Sequence, residues 1–237
     1  MAKLTIDGRT IQTEKKTVLE AAMEAKVRIP TLCHDEALSP YGACRLCVVE
    51  IRSGDKTQLV SSCTYPALDG LEVRTNSDRV TKARRMVVEL LLARSPGAKV
   101  LRELAAEFGI EEPRFKKEDE DCILCGRCVR ACAEIVGANA ISFIGRGASR
   151  EVETPFRKES NKCIECGLCA FVCPTEAIRL EEAGKVRRIE RWHASKEMQQ
   201  CKVCGRYFAP KAQLDFVAEK SGVPRETLEI CETCRQM

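Results

Sequence analysis

The sequence predicts an α+β protein made of several small metal-binding units and no single large apolar core. Three observations predict this class. The chain has 237 residues, which is long for one domain, aromatic residues make up only 5% of it, and sixteen residues are cysteine. Bonds between thiolates and metals contribute folding free energy that a small apolar core cannot supply. We therefore expect compact units that are each held together by a metal centre.

The pattern of the cysteines favours metals over disulfides. Most cysteines lie in C-x-x-C pairs or C-x-x-C-x-x-C-x-x-x-C runs, which hold metals and do not close long loops. The first residues, MAKLTIDGRT, lack the apolar core of a secretory signal peptide. No stretch approaches the roughly 20 apolar residues that span a bilayer. We therefore expect a cytoplasmic protein in a reducing compartment, with no membrane span.

Residues 1–95 have the element order of a β-grasp fold. Two short strands flank the turn Asp7-Gly8, and the capping box Thr17-Val-Leu-Glu20 opens a helix. Two more strands flank the turn Ser53-Gly54-Asp55, and a further strand and a helix over 78–94 complete the unit. This order predicts a β-grasp ferredoxin domain with a trailing helix.

Four cysteines in this unit are candidate ligands of a [2Fe–2S] cluster: Cys33, Cys44, Cys47 and Cys63. Four thiolates suffice for such a cluster, and a C-x-x-C pair with two distant cysteines is how these ferredoxins hold it. Structural zinc is the alternative. A Rieske centre would need two histidines, and because the only other one is His193, we expect His34 at the surface or beside the cluster.

Two matching cysteine runs predict a bacterial two-[4Fe–4S] ferredoxin domain over 122–183, after a helix and a charged linker over 96–121. In such ferredoxins the fourth cysteine of each run binds the cluster of the other run. The first [4Fe–4S] cluster is therefore assigned to Cys122, Cys125, Cys128 and Cys173. The second is assigned to Cys132, Cys163, Cys166 and Cys169. Two zinc sites are the alternative, which the paired spacing disfavours.

Residues 184–237 are predicted to form a small zinc-ribbon-like unit. Its candidate zinc ligands are two C-x-x-C pairs, on either side of a predicted helix over 211–221: Cys201, Cys204, Cys231 and Cys234. Four thiolates suit tetrahedral zinc, and the two separated pairs differ from the three-cysteine repeat of both ferredoxin runs. We therefore expect structural zinc, with a third [4Fe–4S] cluster as the alternative.

The metal centres change how the charge of the chain is interpreted. The formal net charge of +4 counts each cysteine as a neutral thiol, whereas four thiolates around a +2 core make a centre of charge −2. Basic residues beside the cysteines, such as Arg45 and Lys162, then compensate the charge of the clusters, and we expect no nucleic-acid partner. No G-x-G-x-x-G, P-loop or H-E-x-x-H motif is present, so no catalytic residue is assigned.

Two segments around the first cysteines resemble a known family. Ile29-Pro-Thr-Leu-Cys-His34 and Gly42-Ala-Cys-Arg-Leu-Cys-Val-Val-Glu50 are similar to the start of the large iron–sulfur subunit of respiratory complex I. Similar segments occur in the small diaphorase subunit of NAD-reducing hydrogenases and in the N-terminal arm of iron-only hydrogenases. In those relatives a cluster held by one histidine and three cysteines follows. Neither residue type occurs between Cys63 and Cys122, so that cluster is not expected here.

The resemblance implies an electron-transfer subunit of a cytoplasmic NAD(P)-linked complex: a hydrogenase, a formate dehydrogenase or an electron-bifurcating transhydrogenase. It implies a flavin- and NAD(P)-binding iron–sulfur partner subunit and a further redox subunit, and a soluble ferredoxin is another candidate partner. One alternative is the iron–sulfur subunit of succinate dehydrogenase or fumarate reductase, which has plant-type [2Fe–2S] spacing and no tail pairs. Another is a redox-sensing zinc-ribbon regulator, which would need a recognition helix or a basic block.

Overall fold

The computed structural model describes residues 1–54 and 56–236. They form two compact units, Met1–Gly126 and Arg127–Met237. The boundary falls inside the first of the two long cysteine runs. This grouping is coarser than the predicted division into residues 1–95, 96–121, 122–183 and 184–237.

The first unit contains the five-stranded mixed sheet of a β-grasp fold. Its strands are β1 (Ala2–Ile6), β2 (Arg9–Thr13), β3 (Val48–Ser53), β4 (Lys56–Ser61) and β5 (Glu72–Arg74). They are ordered β2-β1-β5-β3-β4, and β1 and β5 are parallel whereas the other pairs are antiparallel. Asp7 and Gly8 both have positive φ (48° and 80°), as the predicted two-residue hairpin turn requires. Of the second predicted turn, Asp55 lies outside the described residues.

Helix α1 (Val18–Glu24) begins at the predicted capping box. The Thr17 side chain accepts from the Glu20 backbone N–H, and the Glu20 carboxylate accepts from the Thr17 backbone N–H at 2.9 Å. The apolar face of the helix, which includes Val18 and Leu19, packs into a core shared with Leu4 and Ile51 of the sheet. Burial of this face fixes the helix on the sheet.

Helix α2 (Asp78–Arg94) has the predicted bounds, and α3 (Lys99–Glu107) lies in the stretch 96–121, where a helix and a charged linker are predicted. Glu89 of α2 is buried, and it accepts two N–H groups of the Arg114 guanidinium, each at 2.7 Å. A bidentate pair of this kind is strong and directional. The predicted charged linker is therefore fastened to α2.

The second unit begins with α4 (Arg127–Arg130), which continues into one turn of π-helix, Ala131–Val136. The long insert between the two cysteine runs contains a hairpin of β6 (Ser142–Ile144) and β7 (Glu151–Glu153), and the second run contains α5 (Leu168–Phe171). The sequence did not predict the hairpin.

The second unit contains a four-stranded antiparallel sheet. Its strands are β8 (Glu181–Ala183), β9 (Val186–Ile189), β10 (Ala194–Gln200) and β11 (Tyr207–Pro210), in the order β11-β10-β9-β8. The predicted boundary between residues 183 and 184 falls in the turn between β8 and β9, so this sheet extends across it.

Helix α6 (Lys211–Ser221) has the predicted bounds, and Gly222 ends it with a φ of +70°. The 3₁₀ turn Arg225–Glu229 and the short helix α7 (Glu232–Arg235) complete the unit. Leu214 of this helix is buried, whereas Val217 is 38% exposed.

Candidate iron–sulfur and zinc centres

The four candidate [2Fe–2S] ligands meet in the interior of the first unit. Cys33, Cys44, Cys47 and Cys63 are each at most 6% exposed. The Cys44 backbone N–H donates to Cys33 Sγ at 3.4 Å, and the Sγ atoms of Cys47 and Cys63 are 3.2 Å apart. The structure therefore brings together all four predicted ligands of this site.

The loop before β3 is shaped by residues that accept unusual backbone angles. Gly42 has a φ of +72°, and a Cβ atom there would lie 3.2 Å from Cγ2 of Thr64. Arg45, between two of the cysteines, also has a positive φ, of 59°. The Cys47 carbonyl accepts from the Ser62 backbone N–H at 3.1 Å and from its hydroxyl at 2.8 Å. These bonds hold the C-x-x-C turn beside the end of β4.

The thiols of this site perturb one another. The hydrogen bond between the Cys33 and Cys44 thiols lowers the pKa of Cys33 and raises that of Cys44. The bond between Cys47 and Cys63 lowers the pKa of Cys47, and the pKa of Cys63 rises through its bonds with Cys33 and then with Cys47. Four buried thiolates need positive charge between them, which iron supplies in such a cluster. The donor set therefore fits [2Fe–2S].

A buried arginine lies beside this site. The Arg84 side chain on α2 is 7% exposed, and it donates to the Val48 carbonyl from Nε at 3.1 Å and from Nη2 at 2.7 Å. Val48 directly follows Cys47. The guanidinium therefore places a positive charge near a centre that carries negative charge when four thiolates bind the cluster. No sequence motif points to Arg84.

The first cysteine run starts in the first unit. The Cys122 carbonyl accepts from Arg94 Nε at 2.8 Å, and its Sγ accepts from the Leu124 N–H at 3.4 Å. Cys125 is buried in an apolar cluster that also contains Cys33 and Cys44. Side chains that complete this cluster include Leu32, Leu46, Val88 and Ile123. The ligand set predicted for the first [4Fe–4S] cluster also includes Cys128 and Cys173, which belong to the second unit. This ligand set therefore stays a prediction.

The two runs repeat the same local backbone. Leu124 and Glu165 occupy equivalent places and have φ values of 55° and 51°. Gly126 and Gly167, also equivalent, have φ values of 72° and 79°. Positive φ at these places turns successive N–H groups inward, which is how such loops bind negatively charged sulfur. The repeat therefore extends from the spacing of the cysteines to the conformation between them.

The second unit brings the crossed ligand set together. One cavity is lined by Cys132 of the first run and by Cys163, Cys166 and Cys169 of the second. The Ala140 backbone N–H donates to Cys132 Sγ at 3.3 Å. Burial raises the pKa of Cys163 to about 11 and that of Cys169 to about 12, because a lone thiolate in this apolar cavity has little to offset its charge. A cationic iron core would supply that charge, so the cavity fits a cluster.

Two residues that the sequence analysis missed line the same cavity. Trp192 is 1% exposed, and its indole N–H donates to Cys169 Sγ at 3.3 Å. Glu165 is also 1% exposed, and burial raises the pKa of its carboxyl to about 7. No motif points to either residue. The one available signal was that Trp192 is the only tryptophan of the chain.

The four tail cysteines form a tight group. One sulfur from each of Cys201, Cys204, Cys231 and Cys234 lies within 4.8 Å of the others, and the Sγ atoms of Cys204 and Cys231 are 3.8 Å apart. Gly205 has a φ of +73°, and its N–H donates to the Cys201 carbonyl at 3.0 Å. The predicted ligands are therefore brought together here as well.

Backbone N–H groups prepare both tail pairs for metal binding. The Cys204 N–H, followed by that of Cys231, lowers the pKa of Cys201 to about 6. The Cys234 N–H is the main cause that lowers the pKa of Cys231, and Arg206 Nη2 also donates to Cys231 Sγ at 3.6 Å. Thiolates are the form that binds metal, so both pairs have the chemistry of a tetrathiolate site.

No helix in the described part of the chain is both long and apolar enough to cross a lipid bilayer.

Comparison with known families supports the two kinds of ferredoxin domain. Residues 1–78 match a 2Fe-2S iron–sulfur cluster binding domain. Residues 112–159 match the ferredoxin-like domain of NADH-quinone oxidoreductase subunit 3, and residues 157–179 match a 4Fe-4S binding domain. The predicted α+β class with both ferredoxin types is thereby confirmed.

Individual relatives share about a third of the residues. The NADPH-Fe(3+) oxidoreductase subunit alpha of Geobacter sulfurreducens is 32% identical over 65% of this chain and 21% of its own length. The NADH-ubiquinone oxidoreductase 75 kDa subunit of Reclinomonas americana is 32% identical over 65% of this chain and 26% of its own. This chain therefore spans only about a quarter or less of these curated relatives.

A solved structure matches over most of its length. One chain in the crystal structure of an NAD⁺-reducing [NiFe]-hydrogenase in the H₂-reduced state superimposes with a TM-score of 0.63 at 30% identity. The match covers 74% of this chain and 86% of that one. The resemblance inferred from the cysteine segments is confirmed.

Proposed function

The chain belongs to the family of iron–sulfur subunits of NAD-linked hydrogenases and related oxidoreductases, and on that premise we propose that it relays electrons inside such a complex. The relay runs between a flavin- and NAD(P)-binding partner subunit and another redox subunit. When bound, each cluster would supply a centre that takes up and releases one electron. The residues of this chain hold the centres, shield them from water and fix their spacing.

One observation carries this proposal. Cys33 and Cys44, of the [2Fe–2S] set, lie in the same apolar cluster as Cys125, of the first [4Fe–4S] set. Electron tunnelling falls steeply with distance, so a relay needs centres that are separated by a few packed side chains. Leu46 and Ile123 belong to this cluster and are 0% and 7% exposed. Both of these side chains are shielded from water beside Cys33, Cys44 and Cys125.

The proposed load is one [2Fe–2S] cluster, two [4Fe–4S] clusters and one zinc ion. The ligand sets are those assigned from the sequence, including the exchange of Cys132 and Cys173 between the two runs. The cavity that joins Cys132 to Cys163, Cys166 and Cys169 supports the exchange for the second cluster. The segments 1–95, 96–121, 122–183 and 184–237 are proposed as the regions that carry these centres and the linker.

Zinc is proposed for the tail on the basis of sulfur spacing. A Zn–S bond of about 2.3 Å places the sulfurs of a tetrahedral site about 3.8 Å apart. The Cys204–Cys231 distance is 3.8 Å, and all four sulfurs lie within 4.8 Å of one another. In a [4Fe–4S] cluster each thiolate binds a different iron of the cube from outside, so the four thiolate sulfurs lie further apart. The geometry therefore favours a mononuclear site.

Anaerobic purification of the tagged chain from its own cells tests the relay. We expect a flavin-containing subunit and a second redox subunit to co-purify, and NADH or NADPH to bleach the clusters of the complex. The isolated chain should bleach only with a chemical reductant, because it has no nucleotide-binding motif. Co-purification of a membrane anchor or of DNA in place of a flavoprotein would contradict the proposal. A soluble ferredoxin that exchanges electrons with the complex would identify the second redox partner.

A further inference from the structure

Trp192 occupies a buried position against a sulfur atom. It ends the short 3₁₀ turn Glu190–Trp192, which joins β9 to β10, and His193 follows with a φ of +52°. The indole is 1% exposed and lines the cavity of the second cysteine run. Its N–H group points at Cys169 Sγ, at 3.3 Å.

Several contacts hold the strand connection in place. Ile189 and Ala194, which pair across β9 and β10, are 1% and 3% exposed. The Lys196 backbone N–H donates to the Glu165 carboxylate at 2.9 Å, and Arg187 Nη1 donates to the Glu165 carbonyl at 3.0 Å. The sheet is thus bonded to the C-x-x-C turn on both sides of the tryptophan. These bonds hold the backbone on either side of the indole, whose N–H is directed at the sulfur.

A hydrogen bond to a ligand sulfur affects the redox equilibrium of a cluster. Reduction adds one electron and makes the thiolate sulfurs more negative, so an N–H bond to sulfur is stronger in the reduced state. The proton stays on the indole, and no covalent bond forms or breaks. Such a donor raises the reduction potential of the cluster it contacts. Because the chain has a single tryptophan, only one of its clusters can have this donor.

We propose that Trp192 is a positioning residue that raises the reduction potential of the [4Fe–4S] cluster held by Cys132, Cys163, Cys166 and Cys169. Trp192 acts through its N–H bond to Cys169. The connection between strands β9 and β10 positions the indole beside that sulfur. This inference rests on the proposed cluster assignment. It adds a specific residue that raises the potential of one cluster relative to the others.

The first test is a redox titration of the full-length, cluster-loaded Trp192→Phe variant, followed by electron paramagnetic resonance. Phenylalanine keeps an aromatic ring in the cavity and removes the N–H. We expect the equilibrium constant for reduction of this cluster to fall about tenfold, which is about 59 mV for one electron. The potentials of the other clusters should not change. Phe171→Leu is the matched control, because it alters an aromatic residue of the same run that is 87% exposed.

Analogues separate the hydrogen bond from simple packing. Tryptophan replacement during expression alters position 192 alone. The benzothienyl analogue, which has sulfur in place of N–H at nearly the same shape, should lower the potential as Trp192→Phe does. A fluorotryptophan with a more acidic N–H should raise it. Unchanged potentials with both analogues would overturn the inference. The analogues test the role of the N–H bond even if the Trp192→Phe variant loses its cluster.

A further variant keeps the two proposals distinguishable. Cys169→Ser should lose the signal whose potential responds to Trp192. If Cys169→Ser keeps every iron and every signal, the cluster assignment in the proposed function is wrong. If it loses one [4Fe–4S] signal while the Trp192 variants leave every potential unchanged, only the role of Trp192 is wrong.

Discussion

At the scale of single residues, the cysteine exchange between the two runs gives the sharpest prediction. Cys132→Ala should remove about four irons, and the lost cluster should be the one bound by Cys163, Cys166 and Cys169. The physical reason is that Cys132 lines their cavity, where its Sγ already accepts an N–H bond from Ala140. Iron analysis and electron paramagnetic resonance measure the loss.

The potential of the surviving [4Fe–4S] cluster identifies which one was lost. In the Cys132→Ala background, Trp192→Phe should leave that potential unchanged, because the cluster next to Trp192 is already gone. Cys173→Ala is the matched control, and it should remove the other cluster and keep the sensitive one. The reverse pattern in the two variants would show that each run binds its own four-cysteine cluster.

The same scale shows what a sequence can and cannot predict. All sixteen cysteines were assigned to sites from their spacing, because ligand spacing is a local property of the chain. Trp192, Glu165 and Arg84 were missed, since each reaches its site through tertiary contacts that have no fixed offset from a cysteine. Trp192 is 23 residues from Cys169 along the chain. Nothing in the intervening sequence indicates that the two side chains meet.

At the scale of elements, the ion pair between α2 and the charged linker predicts a local effect. The Arg114 guanidinium holds the pKa of Glu89 at about 2, below its usual value of 4.5. A depressed carboxyl pKa means that the stabilisation is complete above pH 4.5 and is lost as the pH falls towards 2. At pH 7 the pair is therefore fully charged.

Glu89→Gln should accordingly increase amide hydrogen exchange in residues 111–118 at pH 7. The Arg114 N–H, which donates to Glu89 at 3.3 Å, should be among the groups that lose protection. Glu112→Gln is the matched control. Glu112 forms an ion pair with Lys117, and because both side chains are exposed, this pair contributes little to stability. Equal amide exchange in both variants would mean that the Glu89–Arg114 pair does not hold the linker on α2.

The position of strands β9 and β10 predicts which C-terminal truncations of the chain keep the second cluster. Ile189 and Trp192 line the cavity of the second cluster, although both lie beyond the boundary predicted at residue 183. A chain of residues 1–183 should therefore lose about four irons, whereas a chain of residues 1–200, which keeps β9 and β10, should retain them. Iron and sulfide analysis of both chains tests this. A full iron content in the shorter chain would show that the second cluster does not need the sheet to be retained.

The position of this sheet could not be predicted from the sequence. Strands β8 and β9 have three and four residues, and they read Glu-Glu-Ala and Val-Arg-Arg-Ile. Such short, charged segments have no clear alternation of apolar and polar residues. In contrast, α2 and α6 were predicted at their observed bounds, because Asp78 and Gly222 mark a helix start and a helix end.

At the scale of the whole molecule, the metal content distinguishes the proposed centres. Anaerobically purified protein should contain about ten irons, about ten acid-labile sulfides and about one zinc per chain. The double variant Cys201→Ser, Cys204→Ser should lose the zinc and keep the iron, and it should bind its partner subunit more weakly. Plasma mass spectrometry and a binding assay measure these effects.

Val203→Ser is the matched control for the tail. Val203 lies between the two cysteines and is 66% exposed, so its replacement should leave the zinc in place. If the double cysteine variant instead lost four irons and kept its zinc, the tail would hold a third [4Fe–4S] cluster. The compact spacing of the four sulfurs is the reason that we expect zinc.

The burial of the single tryptophan against Cys169 also gives the protein a built-in optical sensor. An iron–sulfur cluster absorbs broadly and quenches a fluorophore in contact with its ligand. Emission from Trp192 should therefore be strong in the metal-free chain and nearly dark once the neighbouring cluster is inserted. Because no other tryptophan contributes, the maturation of this one centre can be followed in real time, without a label and in the presence of the other metals.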